Sequence, residues 1–174
     1  MKRTFLGILL AGILWTEACA IPAWVNTVES DAKVAEPIAA SLIDVIDPAL
    51  APLVTLVSSG FTALVNTLDI YKASPTATHL QAVESAFQAV NNNIAQLQSA
   101  AQIKNTATAT TVTQVVGLLS QAVTEIAALV PPNSGLAVGA ANARTAVAKG
   151  WTAKDFKREF NDIVKGDSRF KPLK

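Results

Sequence analysis

Most enzyme chemistry needs a histidine beside a nucleophile, a pair of carboxylates, or several soft metal ligands, and this chain is poor in all three. It has one histidine, His79, and one cysteine, Cys19. A nucleophile–base relay would have to run through His79. The surrounding pattern places that residue in the first turn of a helix, beside Thr78 and Gln81, an ordinary surface position. A zinc centre built from Cys and His needs several such ligands, and one of each cannot supply them. Asp44 and Asp47 are three residues apart, a spacing that can share a helix face for acid–base work. Asp47, however, stands directly before Pro48, where a carboxylate serves as a helix cap. The eight glycines are scattered, and no Gly-x-x-x-x-Gly-Lys loop is present to cradle a phosphate. The sequence therefore predicts a protein that is not an enzyme and uses no cofactor and no metal.

Residues suited to work by contact gather at the C-terminal end. Trp151, Lys154, Phe156, Lys157, Arg158, Phe160 and Arg169 alternate rings with cations, and Lys165, Lys171, Lys174 and Phe170 extend the set. Such a surface holds an anionic partner by charge and orients it with the rings. Asp155, Glu159 and Asp162 dilute the positive charge, and Arg158 and Asp162 have the spacing of an i,i+4 pair. The chain as a whole is nearly neutral, yet its charge is divided. Residues 21–148 hold four basic and eight acidic side chains, whereas 149–174 hold eight basic and four acidic. The expected partner is a membrane surface or an acidic envelope component, met through the C-terminal helix. No nucleic acid is expected, and a homo-oligomer is an open expectation. The competing reading is that Trp151, Phe156 and Phe160 cover the open end of a helical bundle.

The N-terminus reads as a targeting peptide. Lys2 and Arg3 precede an eleven-residue uncharged apolar stretch, 5–15, and Ala18-Cys19-Ala20 has the small-residue pattern of a cleavage site. Eleven helical residues rise about 16 Å, roughly half of a hydrocarbon core. The stretch is thus expected to be a removable signal peptide over 1–20, which makes the chain an exported one of the periplasm, cell envelope or secreted space. Cys19 is also a candidate lipidation site. Thr16-Glu17-Ala18-Cys19 resembles a lipoprotein lipobox at Ala18 and Cys19, and departs from it at Thr16 and Glu17.

Elements able to position these residues follow from periodicity. Apolar residues at three- and four-residue spacings predict short helices over 22–35 and 38–46, split by Glu36-Pro37. Longer helices are predicted near 48–72, 77–103 and 107–130. In the cleanest of them, Leu80, Val83, Phe87, Val90, Ile94, Leu97 and Ala101 form a narrow seam. That frame buries Phe87 and Ile94 and turns Gln88 and Asn92 to solvent. Pro131-Pro132-Asn133-Ser134-Gly135 ends the run. The expected fold is all-α: an up-and-down helical bundle over 21–135, an Ala/Gly-rich connector or weak helix over 136–150, and a basic amphipathic helix with a loose tail over 151–174. Residues 48–68 are uncharged and long enough to span a bilayer. Their polar positions fall mostly off the apolar seam, which favours a bundle helix over the rival reading, a membrane-active protein whose hairpins insert.

Overall fold

The computed structural model describes residues 21–103, 109–129 and 150–174. The expected signal peptide with Cys19, the break at 131–135 and the connector over 136–149 lie outside the described residues. Within them the protein is all-α. Five helices and no strand are present: α1 (Ala23–Ala40), α2 (Ala51–Ala73), α3 (Ala77–Ile103), α4 (Ala109–Leu129) and α5 (Ala153–Val164).

The first four helices close a ring in which α1 packs on α2 and α4, and α3 packs on α2 and α4; α5 lies across α1 and α4. Side-chain contacts fix the directions. Ser58 of α2 donates to Glu36 of α1 (3.0 Å), and Trp24 at the start of α1 stacks on Tyr71 at the end of α2 (6.1 Å). These two helices are therefore antiparallel. Asn93 bonds the carbonyl of Leu56 (3.2 Å) while Val90 approaches Gly60, so α2 and α3 are antiparallel as well. Glu29 adds a second tie between α1 and α2, pairing with Lys33 in its own helix and with Lys72 in the other.

The core follows the predicted seam of α3, except that Leu80 is only half-buried. Val54, Val57, Phe61, Leu64 and Leu68 of α2 are buried, as are Val83, Phe87, Val90, Ile94 and Leu97 of α3. On α4 the stripe is wider: Val112, Val115, Val116, Leu118, Leu119, Ala122, Val123, Ile126 and Ala127 are all buried. α4 is wedged between α1, α3 and α5, so more than one face has a partner.

Four local expectations are corrected. Glu36-Pro37 does not split a helix, since α1 runs through Pro37 to Ala40. Proline removes the N–H that would bond the carbonyl four residues back, but it stands one turn from the helix end. Ile38 and Ala39 are buried there, and the Ser41 N–H bonds the Pro37 carbonyl (3.0 Å). The segment 38–46 still buries its stripe, using Leu42, Val45 and Ile46 in successive turns. Asp47 does cap, accepting from the Ala49 N–H (2.8 Å), but it caps a turn ahead of α2, which starts at Ala51 with Pro52 in its first turn. Lastly, His79 is more than an ordinary surface residue: the Thr76 hydroxyl accepts from its N–H at the start of α3 (3.2 Å), and its ring bonds the Ser74 carbonyl (2.6 Å). The single histidine is a clasp on this turn.

By length and composition alone, α2 and residues Thr110–Leu129 could each cross a membrane, both with mean hydropathy 1.4. In α4 the apolar surface is largely spent on the core. The outward face of α2 is striped, with Thr55, Ser59, Thr62, Asn66 and Asp69 exposed beside Leu56 and Ile70.

Two helix-interior glycines differ in what surrounds them. A Cβ on Gly60 would stand 3.0 Å from Cγ2 of Val90, itself fully buried, whereas nothing lies within 4 Å of the same atom on Gly117. Gly60→Val is therefore expected to cost about 1–3 kcal/mol through overpacking. Gly117→Ala is expected to add roughly 0.5–1 kcal/mol by restricting the unfolded chain. Urea unfolding of the two variants checks the opposite signs.

Candidate functional surface at the C-terminal helix

α5 begins at a capping box. The N–H and hydroxyl of Thr152 both donate to Oδ2 of Asp155 (3.0 and 2.7 Å), and Arg158 pairs with the other oxygen (2.8 Å). The bonds from Thr152, with Arg158 beside them, hold the Asp155 carboxyl below its usual range. Such a box fixes where a helix starts and its angle of entry. It thereby sets which α5 side chains face the bundle.

The structure divides the predicted docking residues into two groups. Phe156 and Phe160 have no exposed surface, so they cannot touch a partner and are removed from the docking surface. The physical reason is their spacing with Val164, four residues apart each time, which gives α5 one apolar face to set against α1 and α4. Trp151 is half-buried and meets Phe156 edge-on (5.4 Å). The tail is not loose. Phe170 is buried against Phe160 (6.2 Å), and the Asn161 amide bonds both the N–H and the carbonyl of Leu173 (2.8 and 3.0 Å). A single side chain thus pins the returning backbone from both sides.

The cations remain outside. Lys154, Arg158 and Lys165 lie on one stripe, at spacings of four and seven residues, and all three are exposed. Lys157 flanks them and donates to the Lys174 carbonyl. Arg169 is exposed too, with its guanidinium forked onto Asp167, which draws that carboxyl down to about 2. Lys154, Lys165 and Lys171 form no ion pair among the described residues. The basic stripe stands opposite the buried rings, and Asp155, Glu159 and Asp162 run between the two.

Beneath α5 lie two carboxylates that periodicity did not single out. Asp31 of α1 is 1% exposed and Glu125 of α4 is 3% exposed. Glu125 accepts from the Gly150 N–H (3.0 Å) and from the Gln121 amide (2.9 Å). Neither oxygen of Asp31 has a hydrogen-bond partner among the described residues. Burial pushes the Asp31 carboxyl up to about 6; the Ala153 amide, close by but outside hydrogen-bond geometry, offsets part of that rise and the Glu125 charge adds to it. A shallow cleft of about 460 Å³ opens above it, lined by Thr27, Ser30, Thr152 and Lys154 among others. A signal was present in the sequence: each acid occupies a seam position, Asp31 between Val28 and Ala35 and Glu125 beside Ala122 and Ile126. Among the described residues no group of three or more His, Cys, Asp or Glu is placed to hold a metal ion. No protein-family model, curated protein or solved structure matches the chain.

Proposed function

We propose that the protein is an exported, non-enzymatic helical bundle of the cell envelope or secreted space that binds an anionic surface through its C-terminal segment. The observation that carries this reading is the basic stripe of Lys154, Arg158 and Lys165 on the outer face of α5, with Lys171 nearby in sequence. The stripe belongs to a segment whose eight cations outnumber its four acids, on a body of the opposite sign. Attraction of this kind acts at the rim of a contact and is screened by salt. Export is supported by the three-part N-terminus ending in Ala18-Cys19-Ala20. Two rival attachments are a lipid on Cys19 and insertion of α2, favoured respectively by the partial lipobox and by the length and hydropathy of that helix.

One fractionation separates the three. The full chain is expressed in a Gram-negative host, the envelope fraction is washed with 1 M salt and then with detergent (a concentration at which the screening length is about 3 Å), and the intact mass of each pool is measured. The expected result is release by salt of a chain beginning at Ile21. Release only by detergent, with a mass beginning at Cys19 plus acyl chains, replaces docking with a lipid anchor. Release only by detergent with an unmodified chain from Ile21 supports insertion. A chain still beginning at Met1 in the exported pool refutes the signal peptide.

A further inference from the structure

From the placement of Asp31 and Glu125 we propose that the contact of α5 with α1 and α4 is a proton-controlled latch, closed when Asp31 is protonated and loosened when it ionises. Three observations meet at one point. Asp31 is a buried acid whose two oxygens lack hydrogen-bond partners among the described residues. A second buried acid, Glu125, approaches it from α4. Both stand beside the start of α5: the Gly150 N–H, two residues ahead of the capping Thr152, is bonded to Glu125, and the Ala153 amide lies by Asp31. An unpaired ionised carboxylate is costly in such a place, and the simplest relief is for the covering element to lift and admit water.

The charged groups around the site do not neutralise Asp31. On α5, Asp155 is engaged by Thr152 and Arg158, and Lys154 lies exposed at the cleft rim. α4 contributes Glu125, another anion. α2 contributes Lys72 and Asp69, but both belong to the cluster on Glu29, two residues from Asp31 and hence on the opposite face of α1. The remaining positive influence is the start of α5 itself, which favours an anion at its first turn. That attraction offsets only part of the cost of burying the ionised form, so closure still takes up a proton.

The direction follows from linkage. The closed state raises the Asp31 carboxyl to about 6 from an ordinary 3.8. Between these values the closed state holds a proton that the open state has lost, so closure weakens as pH rises and levels off above about 6. The opening equilibrium should grow by on the order of a hundred-fold between pH 4 and pH 8.

Hydrogen exchange of the full chain measures this, read on peptides covering α5 after correction for intrinsic rates. The expected result is a fall in protection of α5 from pH 4 to pH 8, with α2 and α3 changing far less. Asp31→Asn should remove the pH dependence and hold α5 near its low-pH protection. A carboxyl NMR titration of Asp31 in the unmodified chain gives an independent readout should the variant fold poorly. Protection of α5 that is flat with pH, an unchanged pH dependence in Asp31→Asn, or Asp31 titrating near its ordinary value would each overturn the latch.

Discussion

Removing residues 151–174 is expected to abolish the cooperative thermal transition of the protein. The segment supplies Phe156, Phe160, Val164 and Phe170 to the core, each at most 5% exposed. Full burial of an apolar side chain of this size is worth about 1.5–3 kcal/mol, so four contribute roughly 6–12 kcal/mol. Native domains are stable by about 5–15 kcal/mol in total. The loss is therefore comparable to everything that holds the protein folded, before counting the bonds of Asn161 to the tail. Truncation would also uncover Glu125, which loses the Gly150 region that α5 anchors. Phe160→Ala is the graded version of the same experiment, expected to cost about 3–5 kcal/mol. Circular dichroism melts of both chains check it. A truncated chain with an undiminished, sharp transition would make α5 an appendage, with its phenylalanines contributing little to the core.

In α3 the corresponding result is a steep contrast between neighbours. Phe87→Ala is expected to cost about 3–5 kcal/mol, because the residue is 3% exposed on a helix packed against α2 and α4, and its loss leaves a cavity in that core. Gln88→Ala, one residue along and partly exposed, is expected to change stability by well under 1 kcal/mol. Urea unfolding at one pH compares the two. Equal losses would mean that the seam of α3 is misplaced by a residue, and with it the packing of the whole helix.

Periodicity alone made it legible that the chain is helical, where its longest helices lie, and which stripe of α3 is buried. The reason is that a striped helix with one buried face writes its period into the order of residues. Val83, Phe87, Val90, Ile94 and Leu97 could be assigned from spacing alone, and all five are buried. The same arithmetic failed wherever a local rule competed with packing. Pro37 should have ended a helix, yet the buried Ile38 and Ala39 carry α1 one turn past it. Asp47 kept its capping bond while the helix start moved on to Ala51.

The C-terminal end was decided almost wholly by tertiary structure. Composition placed rings and cations together in residues 151–174, and from composition alone they form one mixed surface. In the fold they are separated: the capping box at Thr152 fixes the angle of α5, so Phe156 and Phe160 go inward and Lys154, Arg158 and Lys165 outward. Asp31 and Glu125 show the same limit more sharply. Each stands at a seam position of its own helix, but they are 94 residues apart in the chain. Nothing local says that their helices meet beside the start of α5. A carboxylate's cost of burial depends on what surrounds it in space, and that is set only when α1, α4 and α5 come together.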